Sequence, residues 1–294
     1  MPILLTGATG FVGSTVLEAL IAAGHEVTAL VRSADKADAV REAGAIPLLG
    51  DISDHELVHR LALMNDGVIH TASPGDASSS SVDDAFTTTI ISALEGSRKP
   101  FIHTGGVWVY GSGSEITEES PLNPPAITSW RHAVEQKVRE SRTLSTIIAP
   151  GIVYGRGQGI PNTIVDGPRV GDPEALTLLG SGEQHWTTVH VDDLANLYVL
   201  AFEAAAPDAY YLGVSGTNPT TRELGEAASI GAGLDGRVVA GSADEAKRRL
   251  GDGFGEALLL DQQATGELAK SRLGWVPEGR PLVEELSVGS YARR

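Results

Sequence analysis

The 294-residue sequence contains no cysteine, only two methionines and few aromatic residues. The absence of cysteine excludes disulfides, zinc–thiolate sites and cysteine nucleophiles. No apolar run approaches the roughly 20 residues that cross a bilayer, so we expect no membrane partner. Basic residues are also scarce, because 22 Lys and Arg stand against 38 Asp and Glu and give a formal net charge of -16. This charge opposes attraction to nucleic acid or to anionic lipid.

Two further absences limit the functional class. The N-terminal sequence MPILLTG continues directly into an apolar run typical of a first strand, which leaves no room for a secretory signal segment. We therefore expect a cytoplasmic protein. No group of His, Asp and Glu has the spacing of metal ligands, so no metal site is expected.

Short β-branched runs alternate with helical patterns over the first half of the chain, which is typical of a parallel sheet wrapped by helices. The predicted strands cover residues 2–6, 25–31, 45–50, 67–72, 100–105 and 145–155. Beyond Gly155, glycine and proline become frequent and the alternation fades. The sequence thus predicts an α/β protein with a Rossmann doubly wound domain over 1–155, to which 185–212 returns. A smaller C-terminal substrate-binding lobe is expected from residues 156–184 and 213–294.

A glycine-rich segment, TGATGFVGS, joins the first predicted strand to the first predicted helix. Glycine lets the backbone turn tightly and approach a pyrophosphate, while the helix N-terminus offers free N–H groups and the positive end of its dipole. In this strand, loop and helix context the spacing predicts a dinucleotide site. The residues that we expect to contact the cofactor here are Gly7, Thr9, Gly10, Phe11, Val12 and Gly13.

The second predicted strand ends in LVRSADK, with Arg32 where NAD-binding domains usually offer an acid to the ribose hydroxyls. A guanidinium there suits the 2′-phosphate of NADP, and Lys36 is close enough in sequence to assist. We therefore expect NADP (NADPH) as the cofactor, with NAD as the alternative.

Five motifs resemble the extended short-chain dehydrogenase/reductase superfamily, in particular its NAD-dependent epimerase/dehydratase branch. They are TGATGFVG (6–13), GDISD (50–54), GVIHTAS (67–73), VYG (109–111) with the later APGIVYGRG (149–157), and TTVHVDDLA (187–195). The resemblance covers nearly the whole chain. It implies a homodimer formed through the helices predicted at 82–96 and 129–141. It also implies further cofactor contacts at Asp51, Ile52, Thr71, Ala72, Pro150 and Ile152.

The same resemblance implies a catalytic Ser, Tyr and Lys, yet Gly106, Trp130 and Val134 occupy the corresponding positions, which makes this an atypical member. No Tyr-x-x-x-Lys occurs between residues 105 and 145, and a shift by one residue gives Arg131 and Glu135 instead. An indole N–H has no useful acidity. The remaining candidate catalytic residues are Thr104, Tyr110 and His132.

Sugar-nucleotide members of the branch resemble this sequence except that an Arg stands where Trp186 stands here. Its absence removes the guanidinium that would bind a diphosphate. We therefore expect a small-molecule substrate that is largely apolar. The candidate substrate-binding residues are mostly aromatic, and they are Ser73, Trp108, Trp130, Tyr154, His185 and Trp186.

Three functions remain open at this stage. The first is an NADPH-dependent oxidoreductase with atypical proton delivery, because hydride transfer chiefly requires a well-positioned nicotinamide. Its substrate would be a carbonyl, an imine or an activated alkene. The absence of Tyr and Lys would slow the reduction of an ordinary ketone most, because the developing alkoxide would lack a proton donor and an electrostatic partner. The second is a non-catalytic NADP-binding regulator or sensor. The third is an epimerase or dehydratase with a non-standard acid/base pair, such as Tyr110 with His132.

Overall fold

The computed structural model describes residues 2–292 of the chain. Its strands, in chain order, are β1 (Ile3–Thr6), β2 (Val27–Val31), β3 (Ile46–Leu49), β4 (Val68–His70), β5 (Pro100–Thr104), β6 (Gly113–Ile116), β7 (Leu144–Pro150), β8 (Ile152–Gly155), β9 (Gln158–Gly159), β10 (Arg169–Val170), β11 (Ala175–Thr177), β12 (Thr188–His190), β13 (Ala209–Gly213), β14 (Val238–Val239) and β15 (Gln262–Ala264). Its helices are α1 (Phe11–Ala22), α2 (Ala34–Glu42), α3 (His55–Met64), α4 (Ser79–Leu94), α5 (Arg131–Glu140), α6 (Asn162–Val165), α7 (Val191–Ala204), α8 (Thr221–Gly231), α9 (Ala243–Leu250), α10 (Asp252–Leu258), α11 (Glu267–Leu273) and α12 (Leu282–Ser287). Two short 3-10 helices cover Val107–Tyr110 and Ala126–Thr128.

The central sheet is parallel throughout and has the strand order β13-β7-β5-β4-β1-β2-β3. From β1 the chain builds outward through β2 and β3, and then returns to the other side of β1 with β4 and β5. The order therefore reverses between β1 and β4. In open α/β sheets this reversal leaves a crevice at the carboxyl ends of the strands, where ligands bind. The fold is a Rossmann doubly wound α/β fold, as the sequence predicts.

Helices cover both faces of the sheet, and successive residues of one strand pack against the helices of opposite faces. Ile3 and Leu5 of β1 pack with α1, α2 and α7, whereas Leu4 between them packs with α3, α4 and α5. Successive side chains of a strand point to opposite faces, so an uninterrupted apolar run is what a strand buried on both faces requires. The run ILL in β1 meets this requirement.

The prediction of one strand over residues 145–155 is wrong, because the chain leaves the central sheet at Gly151. β7 ends at Pro150, and β8 pairs with β12 in a separate small sheet. A Cβ at Gly151 would lie 2.4 Å from the carbonyl oxygen of Thr187, so only glycine permits this close crossing. Pro150 consequently stays at the edge of the crevice while β8 enters the lobe.

The lobe has a core of its own, built from β8, β11, α6, α8 and α12. The segment 213–294 divides between the two units, because Ala269 of α11 and Trp275 pack in the core beneath the central sheet. The indole N–H of Trp275 donates to the carbonyl of Asp193 at 2.8 Å. α7 packs on α1, and β13 pairs with β7. Within residues 2–292, no helix has the length and apolarity needed to span a membrane.

Candidate functional site

Two adjoining cavities lie at the carboxyl ends of β1, β4, β5 and β7. The first has a volume of about 420 Å³ and is bounded by the glycine loop and by the ends of β2 and β3. The second has a volume of about 650 Å³ and lies between the ends of β5 and β7, the start of α5 and the lobe. Ser73 and Asp76 contribute to the walls of both cavities. A single elongated ligand can therefore extend from one cavity into the other.

The glycine loop has the backbone geometry that close approach to a ligand requires. Gly7 has a φ of +79°, and a Cβ there would lie 2.7 Å from the backbone nitrogen of Ala72. A Cβ at Gly13 would lie only 2.0 Å from the carbonyl oxygen of Gly7. α1 begins after the exposed Gly10 without a side-chain cap, so the N–H groups of its first turn are available to an anion. The loop fits a dinucleotide pyrophosphate.

Positive charge concentrates at the far end of the first cavity. Arg32 and Lys36 both line it and both are exposed. Asp51, in the same wall, accepts hydrogen bonds from the N–H of Ser53 at 2.9 Å and from its hydroxyl at 2.7 Å. These two bonds lower the pKa of the Asp51 carboxyl, and Arg32 contributes to the lowering. Two cations beside one ionised carboxylate suit a ligand that carries both ribose hydroxyls and a phosphate.

The predicted cofactor residues divide into three groups. The first cavity is lined by Gly7, Thr9, Gly10, Arg32, Asp51, Ile52, Thr71 and Ala72. Phe11, Val12 and Gly13 form the first turn of α1 and offer backbone N–H groups rather than side-chain walls. Pro150 and Ile152 line the second cavity, and so do three of the predicted substrate residues, Ser73, Trp108 and Trp130.

Of the three positions that resemble the catalytic set, two line the second cavity, and none of the three carries a hydroxyl or an amine. Gly106 lines the second cavity, and a Cβ built on it meets no atom within 4 Å. Its φ of 177° is ordinary extended backbone, so the position tolerates a side chain and leaves its space to the ligand. Trp130 lines the same cavity, while its indole N–H donates to the carbonyl of Ile127 at 3.0 Å. Val134 is buried in the protein interior.

Arg131 is a candidate site residue that the sequence analysis did not propose. It begins α5 and lines the second cavity. One Nη1–H donates to the carbonyl of Thr104 at 3.2 Å, and the guanidinium lies 4.6 Å from the centroid of the Trp130 ring. The available signal was the one-residue register shift, which puts Arg131 at the tyrosine position. The structure thus places a cation, tethered by this hydrogen bond, at the wall of the second cavity.

The three predicted catalytic residues do not reach the second cavity. The hydroxyl of Thr104 donates to the carbonyl of His70 at 2.6 Å and lies 2.6 Å from the hydroxyl of Tyr198, so it is fully engaged. Tyr110 is buried and its hydroxyl donates to the carbonyl of Glu118 at 3.4 Å. Burial raises the pKa of Tyr110 to about 12. His132 lies on the exposed face of α5.

Three predicted substrate residues also lie outside the cavities. Tyr154 and Trp186 are buried in the lobe core, where the Tyr154 hydroxyl donates to the carbonyl of Arg280 at 2.9 Å. The Trp186 indole N–H donates to the carbonyl of Leu258 at 3.0 Å. His185 pairs through Nδ1 with Asp261 at 2.8 Å. The aromatic wall of the second cavity is therefore formed by Trp108 and Trp130 and not by the other predicted rings.

A buried polar cluster connects the strands whose carboxyl ends border the two cavities. Asp83 accepts from the Nε2 atoms of His70 and His103, at 3.1 and 3.2 Å, and the Nδ1 of His70 lies 2.6 Å from the hydroxyl of Thr6. Burial lowers the pKa of His70. Burial alone would raise the pKa of Asp83, but hydrogen bonds from His103 and His70 hold it below its usual value. The cluster joins β1, β4, β5 and α4.

Glu135 is a second buried acid behind the cavity wall. Its Oε2 accepts from the hydroxyl of Tyr210 at 3.1 Å, and its Oε1 has no hydrogen-bond partner within the described residues. Burial raises the pKa of its carboxyl. A Cβ at Gly105 would lie 2.6 Å from Oε1, so the glycine leaves room for the carboxyl group. Glu135 therefore packs against the outer side of the wall and does not line the cavity.

Comparison with known proteins identifies the family. The model of the NAD dependent epimerase/dehydratase family matches residues 3–213. An uncharacterized protein of Schizosaccharomyces pombe, C2A9.02, is 32% identical over 99% of this chain and 100% of its own length. The UDP-glucose 4-epimerase of Mycolicibacterium smegmatis is 28% identical over 95% of this chain and 94% of its own.

A solved structure shows the same fold over the whole chain. The human epimerase family protein SDR39U1, determined with NADPH, has a TM-score of 0.74 at 20% identity, with 99% of each chain covered. The two chains thus share the fold described above. On the family match, which spans residues 3–213, the chain is a member of the NAD-dependent epimerase/dehydratase family.

Proposed function

We propose that this protein is an NADPH-dependent oxidoreductase that reduces a small, largely apolar carbonyl, imine or activated alkene. One observation carries the proposal. The cavity beside the nicotinamide position is walled by Trp108, Trp130 and Ile152, and Gly106 leaves the site of the usual catalytic hydroxyl open. Such a wall accommodates an apolar substrate close to the cofactor ring.

The residues present fit the dinucleotide. The N–H groups at the start of α1 would hold the pyrophosphate, and Gly7 and Gly13 permit its close approach. Arg32 and Lys36 would pair with a 2′-phosphate, which favours NADPH over NADH. When bound, the cofactor supplies the hydride. The protein's own contribution is to orient both reactants and to exclude water from the apolar side of the cavity.

The proposal includes an atypical route of proton delivery. The hydroxyls of Thr104 and Tyr110 are engaged elsewhere, so neither can give a proton to a substrate in the second cavity. A protonated imine needs no further proton, and an activated alkene can take one from water after hydride transfer. Hydride addition to a simple ketone gives an alkoxide, and no side chain of the cavity is placed to donate a proton to it. We therefore expect cyclic imines and activated alkenes to be reduced faster than matched simple ketones.

A second candidate is a non-catalytic NADP-binding sensor. The same engaged hydroxyls favour it, since a site that only binds cofactor needs no acid. The third hypothesis, an epimerase or dehydratase using Tyr110 with His132, receives no support, because neither residue lines the cavity. The position expected to hold the arginine that binds a sugar diphosphate is occupied by Trp186, which is buried in the lobe core.

The test begins with binding of NADPH, NADP, NADH and NAD, followed by NADPH oxidation with paired cyclic imines, alkenes and ketones. Turnover of any acceptor with NADPH supports the reductase. Tight NADPH binding without turnover across the panel favours the sensor. Absence of binding of every dinucleotide contradicts both.

A further inference from the structure

Arg131 is held in one orientation at the wall of the second cavity. It starts α5, where the helix fixes its backbone. Its Nη1 is tethered to the carbonyl of Thr104, and its planar guanidinium stacks over Trp130. A guanidinium has five N–H donors. The tether uses one of them, which leaves donors available to a ligand.

This cation forms no salt bridge with a carboxylate of the described residues, although it interacts with Glu135 at longer range. Within residues 2–292, Arg131 has no carboxylate within 4.0 Å, although Glu135 lies one turn along the same helix and bonds to Tyr210 instead. The other charged residue in the cavity wall, Asp76, also lines the cofactor cavity, and its Oδ1 accepts from the N–H and the hydroxyl of Ser78. Arg131 is half-buried, and much of the wall around its guanidinium is apolar. Its free N–H groups can therefore take an anionic partner from a ligand.

We propose that Arg131 binds a carboxylate of the substrate, and that the substrates are small oxo acids, imino acids or unsaturated acids with an apolar side chain. This inference rests on the proposed reductase function and names its substrate class. A planar guanidinium suits a carboxylate through paired N–H donors, which lysine cannot reproduce. Trp108, Trp130 and Ile160 would contact the apolar remainder. A chain with a net charge of -16 repels anions at long range, so a dedicated cation is needed to retain one.

The reaction balances with NADPH as the hydride donor and water as the proton donor. For a 2-oxo acid, the hydride adds to the carbonyl carbon, the C=O π bond breaks, and its electron pair moves to oxygen. A proton from water then completes a 2-hydroxy acid, while NADPH is oxidised to NADP. An imino acid gives an amino acid in the same way, and it brings its proton when the imine is protonated. The carboxylate on Arg131 remains unchanged and fixes which face of the substrate meets the ring.

Binding of benzoate and of benzamide tests the assignment without turnover. The two molecules share a ring that suits the tryptophan wall and differ in charge. Calorimetry is performed on the wild type with and without NADP, and on Arg131→Gln and Arg131→Lys. Arg142→Gln is the matched control, because Arg142 is exposed, lies just beyond α5 and does not line either cavity.

We expect benzoate to bind about 10- to 100-fold more tightly than benzamide to the wild type and to Arg142→Gln. Arg131→Gln should abolish that difference, and Arg131→Lys should retain part of it. Circular dichroism and urea unfolding establish that each variant is folded. Equal binding of the two probes to the wild type, no benzoate binding, or an unchanged preference in Arg131→Gln overturns the inference.

Steady-state kinetics separate this inference from the proposed function. Phenylpyruvate and its methyl ester are compared with NADPH. We expect KM for the acid to rise by about 10- to 100-fold in Arg131→Gln while KM for the ester changes little. If the ester is reduced as efficiently as the acid, the result contradicts the assignment of Arg131 to a carboxylate but supports the reductase function. If NADPH does not bind, the reductase function is contradicted. In that case the benzoate titration without cofactor still decides whether Arg131 binds a carboxylate.

Discussion

Substitution of Arg32 by alanine tests the cofactor assignment most directly. Arg32 is exposed at the end of β2 and lines the first cavity with Lys36. Two unit charges 4 Å apart attract by about 1 kcal/mol in water and by about 4 kcal/mol near a protein surface of effective dielectric constant 20. Because this side chain is exposed, we take the lower half of that range, about 1–2 kcal/mol. NADPH affinity should then fall roughly 5- to 30-fold, and NADH affinity should stay nearly constant.

Fluorescence titration of both reduced cofactors at two salt concentrations measures this effect. The NADPH loss should shrink as salt rises, because screening weakens exposed charge pairs. Arg41→Ala is the matched control, since Arg41 lies on α2 but pairs with Asp38 outside the cavity. An equal loss of NADPH and NADH affinity, or an unchanged NADPH affinity in both Arg32→Ala and Arg32→Ala with Lys36→Ala, would refute the 2′-phosphate assignment.

Three further predictions concern the loop, the lobe and the buried cluster. Gly13→Ala should abolish cofactor binding and lower the unfolding free energy measured in urea by about 1–3 kcal/mol, because its Cβ would lie 2.0 Å from the carbonyl oxygen of Gly7. Gly106→Ala is the control: the space at its Cβ is open, so the same free energy should change by less than about 0.5 kcal/mol. Tyr154→Phe should lower the unfolding free energy by about 1 kcal/mol, because it removes the hydrogen bond to the carbonyl of Arg280, and it should leave NADPH affinity unchanged. A large loss of NADPH affinity would contradict the placement of Tyr154 outside the site. His70 has a lowered pKa, so below the ordinary histidine value of about 6.5 the unfolded chain binds a proton that the native protein does not. The unfolding free energy should therefore fall as pH drops from about 6.5 through the native pKa, and a flat profile over that window, or an identical slope in His70→Asn, would contradict this account.

The part of the fold that alternates regularly was predictable from the sequence. Apolar runs such as ILL mark strands buried on both faces, and the glycine spacing marks the ligand loop, because local sterics dictate both features. The break at Gly151 was not predictable. It depends on the approach of Thr187, which is distant in sequence, and nothing local distinguishes that glycine from one that merely interrupts a strand.

The candidate site was predictable only where the backbone defines it. Tyr154 and Trp186 were expected in the cavity because aromatic residues suit an apolar pocket, yet the same chemistry suits the core of the lobe, where both are buried. Local sequence does not distinguish these two environments. Arg131 was missed for the opposite reason. Alignment to Tyr and Lys directs attention to residues that can transfer protons, whereas the structure places a permanent cation at the cavity.

The position of β13 at the end of the central sheet has a consequence for the order in which the protein assembles. β7 is complete once residue 150 has been synthesised, but the strand that covers its outer edge comes from residues 209–213. Until that later segment leaves the ribosome, the N–H and carbonyl groups on one side of β7 have no strand partner. An exposed edge of this kind pairs readily with other chains. A fragment that ends before residue 209 should therefore aggregate on expression, even though it contains every strand that lines the cofactor cavity.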